Sequence, residues 1–243
     1  MINYYSWNHV FRNKIAVSDG NGDYLYEDVY LRSWDLAKGI LDLFGDSSPS
    51  RRICLLCPPD LTHVLATWSC WMSGHVAVPL CPSSHQDRLE HIIMESKSDL
   101  VITTVDQVNR INAVTKKHGQ KLIVLDETWW MEPKNESDID TSSNLPQSLV
   151  DLDLVKDSNA YILYTSGMTG APKGVVYNHQ TVCNQIENVI SSWDLSSTDS
   201  VLHSLALDTV YGSINSLQAP LSTGARITLI PNFDTTKVSS GNL

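Results

Sequence analysis

Residues 165–174 read Thr-Ser-Gly-Met-Thr-Gly-Ala-Pro-Lys-Gly, with three hydroxyls, three glycines and one lysine in a short span. This composition suits a polyphosphate. Glycines allow positive φ and close approach of the backbone. Successive backbone N–H groups can form an anion-binding nest. Thr165, Ser166 and Thr169 offer O–H donors, and Lys173 adds a flexible cation whose approach Pro172 stiffens. The pattern is not the common P-loop. Proline precedes Lys173 and Gly174 follows it, so no hydroxyl stands ready for magnesium and no helix opens beneath the phosphates. The plain alternative is a glycine-rich turn with no ligand, and so much donor chemistry in so few residues argues against it.

The elements around this loop must hold it. Apolar runs predict strands over 160–165 and 175–177, broken by Gly167, Gly170 and Gly174 and joined as a hairpin, followed by a helix from about 180 to 193. Upstream, Asp19-Gly20-Asn21-Gly22 is turn chemistry between strands at 15–18 and 24–26. A helix is expected over 28–44, closed by a left-handed Gly45. A regular alternation follows. Strands are predicted at 52–56, 75–80, 100–104 and 122–125, and helices at 61–73, from Ser84 to about Lys97, and at 107–118. Asp60 is the N-cap of the first of these helices, Ser84 and Asp87 have capping-box spacing for the second, and Gly119 caps the third. Strands and helices alternating at this spacing give an α/β fold of βαβ units, with mostly parallel sheets flanked by helices. Trp68, Trp71 and Met72 fall at helical spacing and read as core.

Composition narrows the function. The chain has 243 residues, 42% of them apolar, and a formal net charge of −10. A real core is expected, while non-specific nucleic-acid binding, which needs a cationic face, is not. Cys54, Cys57, Cys70, Cys81 and Cys183 are odd in number and scattered, so reduced thiols fit better than a disulfide framework or a zinc site. The opening residues lack the apolar core of a secretory signal, and no run approaches a membrane span. An intracellular protein, cytoplasmic or mitochondrial, is expected. Seven acidic residues face two lysines over 132–157, which reads as an exposed acidic connector.

The segment "YTSGMTGAPKG" resembles the YTSGTTGxPKG signature of the AMP-forming acyl-CoA synthetase, peptide-synthetase adenylation and luciferase superfamily. The likeness extends through "YLYEDVYLRSWDLAKGI", "ATWSCWMSGHVAVPL" and "DSVLHSLALDTVYGSINSLQAPLSTGARITLIPNFD", so it covers nearly the whole chain. Within the superfamily, "WMSGHVAVPL" and "SVLHSLALDTVYGSINSLQAPLSTGA" look most like malonate–CoA ligases of acyl-CoA synthetase family member 3. The resemblance implies the N-terminal part of the adenylate-forming fold over 1–243. It also implies two-step chemistry, in which ATP activates a carboxylic acid, malonate or a fatty acid, to an acyl-adenylate, and coenzyme A then takes the acyl group as a thioester. Magnesium would arrive with ATP. Carried over position by position, phosphate binding falls on Thr165, Ser166, Gly167, Met168, Thr169, Gly170 and Lys173, and an acyl pocket falls near Thr209, Tyr211 and Gly212.

Three departures qualify what the resemblance implies. Met168 stands where the signature has threonine, so one O–H is lost. A hydrogen bond to a charged group is worth roughly 1.5–3 kcal/mol, and weaker ATP binding is expected. In "LALDTVYG", Thr209 stands where relatives commonly carry histidine, and Asp208 before it would repel a dicarboxylate unless neutralised. Relatives also run well past a point matching Leu243, to a hinge and a C-terminal domain with the catalytic lysine. The expectation is a fragment inactive by itself. The alternatives are a non-catalytic nucleotide- or partner-binding remnant of the family or, least favoured, a cysteine metal module. No catalytic residue is assigned.

Overall fold

The computed structural model describes residues 10–45, 49–126, 156–165 and 171–230. The chain opens with a hairpin of β1 (Ile15–Asp19) and β2 (Gly22–Leu25), as the turn residues predict. The Asp19 carboxylate accepts from the Asn21 N–H at 2.8 Å and closes that turn. Helix α1 (Tyr26–Phe44) begins two residues earlier than its apolar pattern suggests, because the Asp28 carboxylate accepts from the Leu25 N–H at 3.1 Å. Gly45 has the expected positive φ, but its ψ of 141° is extended, so the helix does not end in a left-handed cap.

The βαβ alternation follows. It comprises β3 (Arg52–Leu56), α2 (Leu61–Met72), β4 (Val76–Pro79), α3 (Gln86–Glu95), β5 (Leu100–Thr104), α4 (Val108–His118) and β6 (Lys121–Leu125). Asp60 caps α2 as expected, accepting from the Thr62 N–H at 2.9 Å. Gly119 adopts the left-handed conformation beyond α4. The Ser84–Asp87 box does not form. His85 is the N-cap of α3 without a side-chain bond, and the Ser84 carbonyl is taken by Arg110 of α4.

Next come β7 (Asn159–Tyr164), β8 (Gly174–Asn178), α5 (His179–Trp193), β9 (Ser200–His203), a π-helical stretch (Tyr211–Gln218), α6 (Ala219–Thr223) and β10 (Arg226–Leu229). A six-stranded sheet runs β6-β5-β3-β4-β7-β8, parallel throughout except for the β7–β8 hairpin. A four-stranded sheet runs β2-β1-β10-β9, with β1, β10 and β9 parallel.

Every residue of α2 is buried, Thr62, His63, Thr67 and Ser69 included. It touches β1 of one sheet and β3 and β4 of the other, so it is wedged between them. Its two tryptophans tie the layers together. Trp68 Nε1 donates to Gln218 Oε1 at 3.1 Å, and Trp71 Nε1 donates to the Ala160 carbonyl at 2.9 Å. Alternation along β3 sends Ile53, Leu55 and Cys57 into the core around α2, and Cys54 and Leu56 into the core against Leu89 and Ile93 of α3. Cys54 and Cys57 thus point to opposite faces of the sheet, and all five cysteines are free. Among the described residues, no helix is long and apolar enough to cross a membrane. Most of the acidic connector lies outside the described residues.

His63 of α2 is fully buried, and neither ring nitrogen has a hydrogen-bond partner among the described residues. Burial, with His203 nearby, lowers its pKa from 6.5 to about 3. The native state therefore holds it neutral, while the unfolded chain protonates below 6.5. Its contribution to stability is whole above pH 6.5 and is lost as pH falls toward 3, at up to about 1.4 kcal/mol per pH unit. Urea midpoints measured across this window are expected to fall more steeply for the wild type than for His63→Leu. Parallel curves would contradict the assignment.

Candidate functional site

The β7–β8 hairpin holds the glycine loop by its neck. Tyr164 pairs with Gly174 and Leu163 with Val175, and the Thr165 N–H donates to the Lys173 carbonyl at 3.0 Å. Lys173 is exposed at the start of the return strand. Gly174 does not break the strand, as its residue type suggests, but opens β8 in register. A Cβ there would stand 2.9 Å from Ile162 Cγ2 and 3.0 Å from Tyr164 Cζ. This glycine therefore makes room for the tyrosine ring across the hairpin. The Tyr164 hydroxyl donates in turn to the Glu95 carboxylate at the end of α3. Ser166, Gly167, Met168, Thr169 and Gly170 lie outside the described residues.

The loop follows the C-terminal end of β7, and β4 lies beside β7 in the same parallel array. The C-terminal ends of β3, β4 and β7 thus share one edge of the six-stranded sheet, with neighbouring strands about 4.8 Å apart. Ligands of open α/β sheets bind outside the carboxyl ends of the strands. A cleft of about 470 Å³ opens there, lined by Cys57 and Pro59 after β3 and by Cys81 and Ser83 after β4. Its other wall comes from the four-stranded sheet, with Ser204 to Asp208 after β9 and Ile230 after β10. The cleft therefore lies where the carboxyl edges of the two sheets meet.

Arg110 of α4 holds the wall beyond β4, donating to the carbonyls of Pro82 and Ser84. Cys81 Sγ and Ser83 Oγ sit 3.1 Å apart. Burial pushes the Asp208 carboxyl above its ordinary pKa, and the Arg88 guanidinium pulls the other way.

The three residues expected near an acyl pocket follow directly on the cleft-lining segment Ser204–Asp208. Thr209 Oγ1 donates to the Ala206 carbonyl at 2.8 Å and accepts from the Gly212 N–H at 3.0 Å, so it folds the turn that leads into the π-helical stretch. Tyr211 is exposed and tilted against Trp193, with ring centroids 6.0 Å apart. Gly212 is buried so tightly against the Ala206 carbonyl that a Cβ would overlap it. Its own carbonyl meets His203 Nε2 at 2.9 Å. None of the three lines the cleft, whereas their neighbours Ala206 and Asp208 do. Glu95 and Arg110 have no local sequence signal for these roles, because Tyr164 and the carbonyls of Pro82 and Ser84 lie at least 26 residues away from them along the chain.

The family model for AMP-binding enzymes matches residues 5–241. The chain is 33% identical over 227 residues to "Malonate--CoA ligase ACSF3, mitochondrial" of Xenopus laevis, covering 92% of this chain and 38% of that protein. It is 32% identical over 194 residues to a malonate–CoA ligase of Arabidopsis thaliana, covering 78% of this chain and 31% of that one. Among solved structures, ATP-bound MatB from Rhodopseudomonas palustris superposes with a TM-score of 0.77 at 20% identity, over 94% of this chain and 44% of that one. A benzoate CoA ligase from Burkholderia xenovorans does so with a TM-score of 0.77 at 21% identity, over 98% of this chain and 46% of that one. The fold is thus that of the N-terminal portion of adenylate-forming enzymes, and the chain spans less than half the length of each of these four proteins.

The hairpin neck yields a direct test. Gly174→Ala is expected to destabilise the fold by about 1–3 kcal/mol, because Ile162 and Tyr164 must move. Gly20→Ala, with nothing within 4 Å of the added carbon, should stay within about 0.5 kcal/mol. Equal denaturation midpoints for the two variants would contradict the packing described.

Proposed function

The chain belongs to the AMP-binding enzyme family, and we propose that it is the nucleotide- and acid-binding part of an AMP-forming acyl-CoA ligase. The observation that supports this reading is a juxtaposition. A loop with the chemistry for phosphate and a cleft of about 470 Å³ sit on the same carboxyl edge of one parallel sheet. In this reading Thr165, Ser166, Gly167, Met168, Thr169, Gly170 and Lys173 hold the β- and γ-phosphates of ATP, and the cleft takes the carboxylic acid. The acid's oxygen attacks the α-phosphorus and pyrophosphate leaves. The coenzyme A thiol then attacks the acyl carbon and AMP leaves. The work asked of the protein in the first step is positioning and charge stabilisation, which the loop's donors supply.

Among the described residues, no three His, Cys, Asp or Glu side chains converge to hold a metal. In this reading magnesium arrives with the triphosphate. The relatives' names supply malonate as a first acid to try. They also supply the mitochondrion as a compartment, with the cytoplasm as the alternative.

A second reading is a nucleotide-binding member of the family without catalysis. Thr209 favours it, since this hydroxyl stands where relatives commonly carry histidine and is spent on Ala206 and Gly212.

Two measurements test the proposal. Calorimetric titration with ATP is expected to show binding that Lys173→Ala weakens about 10- to 100-fold, the range for losing a charged hydrogen bond. Unchanged affinity in the variant would refute the placement of the phosphates. Acid-dependent ATP–pyrophosphate exchange separates the readings. Exchange marks a working ligase, while binding without exchange marks the second reading, which we expect for this chain alone.

A further inference from the structure

Strands β3 and β4 run parallel with Leu55 opposite Pro79, and the Leu80 N–H donates to the Leu55 carbonyl at 2.9 Å. The same count carried two residues further sets Cys57 opposite Cys81. Side chains alternate along a strand, so both cysteines fall on the face that Leu55 and Pro79 share. The cleft agrees with that placement, since Cys57 and Cys81 both line it. Neighbouring strands lie about 4.8 Å apart, inside the Cα separation of roughly 4.4–6.8 Å that a disulfide spans. Both thiols are free, and their contacts are weak. The Cys57 thiol donates to the Ile102 carbonyl at 3.9 Å with Thr62 nearby, and Cys81 Sγ lies 3.1 Å from Ser83 Oγ. Sulfur is a poor hydrogen-bond partner, so little opposes a turn about each Cα–Cβ bond.

The two cysteines differ in access. Cys81 is half-buried on the cleft wall, whereas Cys57 is 2% exposed, and burial pushes its thiol above its ordinary pKa. A dissolved oxidant therefore meets Cys81 first. We propose that Cys57 and Cys81 form a reversible oxidation site, a thiol pair that a soluble disulfide such as oxidised glutathione converts to a bond across the ends of β3 and β4. The Cys81 sulfur, as thiolate, attacks one glutathione sulfur, that S–S bond breaks, and one glutathione leaves as thiolate. Cys57 then gives its proton to water and attacks the Cys81 sulfur, and the second glutathione leaves. Two protein thiols are oxidised, and one glutathione disulfide is reduced to two thiols. Cys70 is a poor rival to Cys81, because it is fully buried on α2 and is not among the described residues that line the cleft. The site does not depend on what the cleft binds.

The test incubates the full chain in glutathione buffers of rising oxidised fraction, quenches with acid and alkylates the remaining thiols. Peptide mapping by mass spectrometry without reductant then reads which cysteines are joined. The expected product is a peptide pair linked through Cys57 and Cys81. It should rise with the oxidised fraction until it outweighs the unlinked peptides about 10-fold, and vanish on reduction with dithiothreitol. Cys81→Ser is expected to abolish the link, whereas Cys54→Ser, on the other face of β3, should leave it intact. Cys57→Ala gives a second, independent loss, and thermal melts check that each variant is folded. Alkylation of both thiols at every buffer ratio would overturn the proposal. So would a link from Cys57 to Cys70, a glutathione adduct on Cys81 that never resolves, or a covalent dimer on a non-reducing gel.

Discussion

The hydrogen bond from the Thr165 N–H to the Lys173 carbonyl closes the β7–β8 pairing and fixes where the glycine loop leaves the sheet. Without that closure the lysine and the hydroxyls would belong to a long excursion with no defined base. With it, the loop's two ends sit across one ladder rung, beside the carboxyl ends of β4 and β3. Loops carry chemistry when a rigid scaffold positions them. Here the scaffold extends to α3 through the Tyr164 hydroxyl on Glu95, and the Tyr164 ring lies over the space that Gly174 leaves empty. The glycine after the lysine therefore serves packing. It need not touch a ligand to matter.

The second requirement is that the two sheets keep their carboxyl edges together. Helix α2 meets it by being buried on every side and touching both sheets. Trp68 reaches Gln218 at the end of the π-helical stretch, and Gln218 Nε2 lies 3.5 Å from the Tyr161 hydroxyl on β7. A π-helical turn is uncommon and is frequent near functional sites. In this chain it follows the turn that carries Asp208 and Thr209, so the cleft wall and the interior network are parts of one segment. Buried polar networks of this kind specify a single arrangement when their members are satisfied.

Much of this was legible in the residues. Strands 52–56 and 100–104 are apolar on both faces, which reads as buried parallel strand, and both appear with those bounds. Asp60 and Gly119 carry their capping roles in their own side-chain chemistry and backbone freedom. The hairpin around the glycine loop follows from two short apolar runs with turn residues between them. What was not legible depends on distant partners. Strand β1 pairs with β10 some 200 residues later, and no local period announces that. The start of α3 falls one residue beyond the one that Ser84 and Asp87 suggest, with His85 as N-cap, and the Ser84 carbonyl meets Arg110, 26 residues along the chain. Asp208 stood out in the sequence as a charge beside an expected pocket. That it is the charged residue among the described ones lining the cleft emerges only when β3, β4 and β9 bring their ends together.

The central claim is that the hairpin between Tyr164 and Val175 surrounds the terminal phosphates of a nucleotide at the sheet's carboxyl edge. A crystal structure of the chain with a non-hydrolysable ATP analogue tests it most directly. The account predicts β- and γ-phosphate density within hydrogen-bonding reach of Lys173 Nζ and of the loop's backbone N–H groups. Phosphate density at any other surface, with that hairpin empty or turned away, would contradict it.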